Sequence, residues 1–229
     1  MSLPCQVFSV KFPICGFTWG VNNAAVLPFR FAAVLLGAGA SARMGRPKLV
    51  LPWGDTTILG HLLEQWRRLG AAQIAVVCAP GKTAVAEELD RLGFPASTRI
   101  INPAPEAGMF SSIQCAARWD GWDAGVTHWI LTLGDQPHVR ETTLESLRDH
   151  SRQYPADICQ PSRHGRPRHP VVFPKPVWRS LGQSSTVNLK EFLQAGVGQV
   201  KLVEVDDAGL DLDLDRPEDY ERERALSHQ

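Results

Sequence analysis

Apolar and polar positions follow two alternating rhythms through most of this chain. Residues 31–36 (FAAVLL), 73–78, 99–101 and 127–133 (THWILTL) are short apolar runs, the pattern of strands buried on both faces of a sheet. Between them, residues 57–69, 82–92, 109–119 and about 141–151 carry apolar side chains at helical spacing. In the first of these, Ile58, Leu59, Leu62, Leu63 and Trp66 share one side and Gly70 stops the run. Strand and helix alternating at this interval call for a parallel sheet with crossover helices, so the fold class is α/β from pattern alone.

The pattern loosens later. Strands are expected at 156–160, 171–173 and 199–205, and helices at 187–194 and 216–226. Residues 1–29 hold neither a two-residue nor a helical period and are expected to be an extension outside the core. Residues 30–229 then form a single domain.

Composition narrows the partners. The 229 residues include 24 Lys and Arg against 24 Asp and Glu, so no net charge draws the chain to nucleic acid or to a membrane surface. No apolar run is long enough to span a bilayer. The five cysteines form no CxxC and suggest neither a disulfide framework nor a zinc site, which fits a reducing, cytoplasmic setting. Any phosphate must therefore be bound locally.

Ligands of an open parallel sheet bind beyond the carboxyl ends of its strands, which directs attention to the loops after Leu36 and Leu133. The first reads LGAGASARMGRPK at 36–48. Its glycines let the backbone turn its N–H groups toward an anion, and Arg43, Arg46 and Lys48 add cations. It matches GxGxxG/A, but the expected second strand ends Cys78-Ala79-Pro80 without the acid a dinucleotide site needs. Gly81-Lys82-Thr83 resembles the end of a Walker A loop, yet Val76 stands where its first glycine belongs.

The second loop, GDQP at 134–137, places Asp135 at a strand end, where a carboxylate serves either a divalent cation or an Asx turn. LDLDLD at 210–215 would set Asp211, Asp213 and Asp215 on one face of an extended segment, where a cation would relieve their repulsion. Asp215 also reads as a helix cap before Arg216-Pro217. Ser111 and Ser112 open a helix at a position suited either to an anion or to capping. The run 163–170 (RHGRPRHP) suits a second anionic partner or a solvated loop. No GxSxG, HExxH or Cys/His motif announces a nucleophile or a zinc hydrolase. A phosphate loop with a metal carboxylate points instead to phosphoryl or nucleotidyl transfer.

Together, LGAGASARMGRPK at 36–48, GDQP at 134–137, RHPVVF at 168–173 and DLDRPEDY at 213–220 resemble the molybdopterin nucleotidyltransferases, and among them the molybdenum cofactor cytidylyltransferases, over about residues 31–226. The resemblance implies a Rossmann-like, three-layer α/β/α nucleotidyltransferase fold of the nucleotide-diphospho-sugar transferase type with a mostly parallel sheet. It implies transfer of CMP from CTP to the molybdopterin cofactor, with release of pyrophosphate and with Mg²⁺ or Mn²⁺. Leu36, Gly37, Ala38, Gly39, Ser41, Arg43, Lys48, Ser111 and Ser112 would bind the nucleotide. Arg43, Lys48 and Asp135 would carry catalysis, Asp135 and Asp213 the metal, and Arg168, His169 and Pro170 the acceptor. Guanylyl transfer, another phosphorylated acceptor and a non-catalytic cofactor chaperone are the alternatives. A molybdoenzyme or its maturation chaperone is an expected protein partner. The chain departs from the family at Gly37, usually Ala, and at Arg168, usually Gly.

Overall fold

The computed structural model describes residues 28–39, 41–81 and 83–226. The expected N-terminal extension lies, up to residue 27, outside the described residues, as does Lys82 at the start of the second expected helix.

The strands are β1 (Phe31–Leu36), β2 (Pro52–Trp53), β3 (Thr56–Thr57), β4 (Gln73–Cys78), β5 (Arg99–Ile101), β6 (His128–Leu133), β7 (Ile158–Arg163), β8 (Arg166–Pro167), β9 (Val171–Pro174) and β10 (Val200–Glu204). The helices are α1 (Ile58–Arg68), α2 (Ala84–Arg91), α3 (Met109–Arg118), α4 (Glu141–Gln153), α5 (Lys175–Leu181), α6 (Leu189–Gln194) and α7 (Pro217–Leu226). The main sheet runs β10-β7-β9-β6-β1-β4-β5, with β8 paired to β7. β6, β1, β4 and β5 are parallel, whereas β9 is antiparallel to both β6 and β7.

β1 is central and its side chains alternate between two cores. Ala33 and Leu35 meet Leu59, Leu63 and Trp66 of α1 together with Leu89 of α2 and Leu147 of α4. Ala32 and Val34 face the opposite layer, with Ile113 of α3, Trp178 of α5 and Phe192 of α6. Helices cover both faces, which is why β1 reads as continuously apolar. Each large aliphatic or aromatic side chain buried this way contributes about 1.5–3 kcal/mol, so the two layers hold the sheet firmly. Thr57 caps α1 and Thr83 caps α2 through their hydroxyls, accepting from Gly60 N–H and Ala86 N–H.

The structure departs from the sequence pattern in several places. The strand expected at 156–160 runs instead over Ile158–Arg163, because pairing with β10 continues through Pro161 to Ser162. α5 and the β2–β3 hairpin were not expected. Residues 210–215 are not one extended segment, because a 3-10 turn at Ala208–Asp211 breaks the alternation.

Candidate active site

Leu36 of β1 pairs directly with Leu133 of β6, so the two loops singled out in the sequence leave the sheet side by side. Glycine at 134 makes this possible: a methyl group there would stand 2.7 Å from the Leu49 side chain and 3.0 Å from the Leu36 carbonyl. Between the loops and α2 and α3 opens a cleft of about 470 Å³.

The loop after β1 is held from below. Gly37 donates its N–H to the Val77 carbonyl at 2.8 Å, so it stiffens the loop rather than offering that N–H to a ligand. A side chain at 37 would come within 3.1 Å of that carbonyl and 3.2 Å of Leu49 and Val76, which explains the preference for glycine in this chain. Ser41, in the left-handed region at φ 50°, accepts the Lys48 backbone N–H on its hydroxyl at 3.2 Å. The loop closes on itself, and the buried Met44, Leu49 and Leu51 anchor it in the core.

Lys48 is the centre of the charged end. Its Nζ donates to Asp135 Oδ2 and to Asp215 Oδ1, both at 3.0 Å, while Arg43 reaches the other oxygen of Asp215 at 2.7 Å. Burial works to lower the Lys48 pKa, but the two carboxylates outweigh it and hold the ammonium above its ordinary value. The hydrogen bond from Lys48 in turn holds Asp215 below the usual carboxylate range, with Arg43 adding to it. Asp135 Oδ1 is buried and has no partner. A buried, orphaned carboxylate oxygen beside an ion pair fits a hard divalent cation, which takes one or two carboxylates together with phosphate oxygens. Among the described residues no group of three or more His, Cys, Asp or Glu could hold a metal unaided.

The structure brings Leu36, Gly37, Ala38, Gly39, Ser41, Arg43, Lys48, Ser112 and Asp135 to the cleft as expected from the sequence. Other assignments land elsewhere. Asp213 does not line the cleft and accepts from Gln136 Nε2 at 2.9 Å, whereas Asp215, read as a helix cap, faces the cleft. The cap of α7 comes from within the helix, Asp219 accepting the Arg216 N–H. Ser111 does not line the cleft and turns its hydroxyl back on the chain, donating to the Gly108 carbonyl at 2.7 Å.

None of the three expected acceptor residues lines the cleft. The Arg168 guanidinium is taken by Asp211, with Nε at 2.7 Å. Pro170 is buried beside Leu62 and Trp66 of α1. His169 is pushed down to about 4 by burial, against the pull of Asp135, and is therefore a neutral imidazole near the carboxylate. Val85 of α2, Pro105 in the 3-10 turn before α3 and Met109 at the start of α3 also line the cleft and were missed by sequence reasoning. They are apolar residues at helix openings, a position shared with ordinary core.

Among the described residues no helix is long and apolar enough to cross a membrane. Comparison with known proteins agrees with the geometry. The chain is 27% identical over 189 residues to the molybdenum cofactor cytidylyltransferase of Escherichia coli K12, covering 82% of this chain and 92% of that one. It is 30% identical over 140 residues to a probable molybdenum cofactor guanylyltransferase of Mycobacterium bovis BCG, covering 57% and 61%. The crystal structure of Rv0371c from Mycobacterium tuberculosis H37Rv in complex with manganese superposes with a TM-score of 0.64 at 26% identity, over 85% of this chain and 97% of that one. The fold is that of the nucleotide-diphospho-sugar transferases. The family model for the MobA-like NTP transferase domain matches residues 33–200, the span that builds the main sheet apart from its β10 edge and nearly all of the cleft, and the chain belongs to that family.

Proposed function

We propose that the protein transfers CMP from CTP to the terminal phosphate of a molybdopterin-type cofactor and releases pyrophosphate. The observation that carries this reading is Lys48 held between Asp135 and Asp215 at the rim of the glycine loop. The acceptor phosphate oxygen attacks the α-phosphorus, the bond to the bridging oxygen of the β-phosphate breaks, and pyrophosphate leaves with the electron pair. The acceptor is its own nucleophile. The protein's task is positioning and neutralisation of charge, which suits a site without an activated Ser or Cys.

Strand order divides the work. The loop after β1 lies in the middle, so Lys48 and Arg43 stand over the triphosphate, and Lys48 turns from its carboxylates to the α-phosphate oxygens as charge builds there. Asp135 on the β6 side, with Asp215, would hold Mg²⁺ or Mn²⁺. The ion supplies electrostatic stabilisation of the phosphate oxygens. The base lies toward Val85, Pro105 and Met109 on the β4–β5 side, with Ala38 at its edge. The longer match, to a cytidylyltransferase, favours CTP, and the manganese complex of a relative supports a divalent ion.

Pyrophosphate release, measured with molybdopterin and each of the four nucleoside triphosphates with and without Mg²⁺, tests the reading. CTP should support turnover only with the metal. Turnover with GTP alone would move the assignment to guanylyl transfer, and absence of pyrophosphate release with all four triphosphates would overturn it.

A further inference from the structure

Asn102 follows β5 and is 1% exposed. Its amide is fully engaged and its orientation is fixed by chemistry. Oδ1 accepts the Ala104 backbone N–H at 3.0 Å, and the Cys115 thiol points to the same oxygen at 3.6 Å. A backbone N–H can only donate, so the oxygen of the amide must lie there and the NH₂ must face α3. Nδ2 accordingly donates to Ser111 Oγ at 2.8 Å and to Ser112 Oγ at 2.9 Å.

Each serine thus has a lone pair occupied by Asn102, and each must send its proton elsewhere. Ser111 sends it to the carbonyls of Gly108 and Ala104. Ser112 has no acceptor for its proton among the described residues, although it is 5% exposed and lines the cleft. An unassisted hydroxyl can rotate to serve as donor or acceptor. With one lone pair held by Asn102 and no protein acceptor for its proton, this one has its proton left to turn into the cleft.

We propose that Asn102 is a positioning residue that leaves the Ser112 proton to be donated to a carbonyl oxygen of the bound nucleobase. The inference rests on the nucleotide-binding reading above and adds to it a device for reading the base. Ser112 belongs to the end of the cleft where Val85, Pro105 and Met109 supply apolar faces, away from the cations that suit phosphate. A single donor there accepts a ring carbonyl and rejects an exocyclic amino group in the same place.

The test is Asn102→Asp. The variant keeps the side-chain shape and the acceptor for Ala104 N–H, but it replaces the two donors with an acceptor. Ser112 would then turn its proton to the carboxylate and present lone pairs to the base. Calorimetric titration with CTP should show Kd raised about tenfold, the scale of one hydrogen bond lost and one lone pair opposed. kcat at saturating CTP should change less than about twofold, because the transferring phosphoryl group lies at the other end of the cleft. In a Ser112→Ala background the same substitution should leave Kd unchanged.

Unchanged CTP affinity in Asn102→Asp, or an equal loss in both backgrounds, overturns the proposal, since the second result is what a merely structural residue would give. Should the buried carboxylate prevent folding, Asn102→Ala frees the hydroxyl without adding charge. It should weaken CTP binding about threefold with Ser112 present and not at all when combined with Ser112→Ala. Failure of the unsubstituted protein to bind any nucleoside triphosphate overturns the functional reading instead.

Discussion

Two segments face each other at the charged end of the cleft, residues 36–51 and residues 207–219, and they are held by opposite means. The first is built on its own backbone and on the core. Gly37 is tied to Val77, Lys48 N–H to Ser41, Leu51 N–H to the Lys48 carbonyl, and Met44, Leu49 and Leu51 are buried. The second is a strap fastened by acids, each to a different element. Asp207 accepts from Arg140 N–H and the Thr143 hydroxyl at the start of α4, Asp211 pairs with Arg163 and Arg168, Asp213 with Gln136, and Asp215 with Lys48 and Arg43. Only Leu210 and Leu214 anchor it in the core. A loop of the first kind is preformed for a ligand, whereas a strap of the second kind depends on charges whose partners a phosphate or a cation can replace.

The largest effect should come from cutting the link between the two. Lys48→Ala and Asp135→Asn should each reduce turnover at least about a hundredfold, because one charge-stabilising group at a transferring phosphoryl is worth roughly 3 kcal/mol or more. Pyrophosphate release and a thermal melt of the same samples check this. Near-normal rates in folded protein would remove both residues from the mechanism.

Next in size is the root of the strap. Asp207 is 1% exposed, and besides the two α4 donors it accepts the Gly209 N–H at 2.9 Å. Gly209 is pressed against the His138 carbonyl, 2.5 Å from where a side chain would start. Asp207→Ala strands several buried donors and should cost about 2–3 kcal/mol. Denaturant titration measures it, and a loss below about 0.5 kcal/mol would show that the strap is held elsewhere.

This contrast also decides what could be read in the sequence. Phe31–Leu36, His128–Leu133 and the amphipathic α1 and α4 were legible because burial on one or two faces leaves a local period. The loop after β1 was legible because glycines and cations crowd a single stretch. The strap was not. Its alternating acids suggest one common face, but the turn at Ala208–Asp211 sends Asp211 to Arg163 and Arg168 while Asp215 reaches Lys48, 167 positions away. No local pattern encodes partners at that separation. Arg168 and Pro170 were misplaced for the same reason, one claimed by Asp211 and the other by the core. α5 escaped notice because Pro174 and Pro176 interrupt the stretch where it begins, although a proline in the first helical turn followed by Val177, Trp178 and Leu181 is itself a helix signal.

A smaller effect should separate the preformed loop's role in base choice from its role in phosphate binding. Ala38 is buried at 8% exposure and packs with Val77 and Phe110 beside the cleft. Its methyl group narrows the space for a purine, and relief of such a clash is worth about 1–2 kcal/mol. Ala38→Gly should shift the ratio of kcat/KM for CTP over GTP about tenfold toward GTP, with Lys48 and Asp135 undisturbed. An unmoved ratio would assign base choice to the α3 side of the cleft.

The smallest effect should appear in acid, and only in the strap. Asp211 is held below the ordinary carboxylate range by hydrogen bonds from Arg163 and Arg168, and Asp215 by Lys48 first and Arg43 after it. A carboxylate whose folded pKa lies below its unfolded value stabilises the fold fully above the unfolded value, and that stabilisation fades as pH falls through the folded one. Both pairs should therefore be intact at neutral pH and fade only below about pH 4, where an unfolded Asp begins to bind its proton. Melting temperatures of the parent and Asp211→Asn should differ at pH 7 and converge as pH is lowered through this window, while the Ser41–Lys48 loop, fixed by an uncharged hydroxyl and a backbone N–H, has no such dependence. A difference that persists undiminished at pH 2 would mean that Asp211 holds the strap by shape rather than by charge.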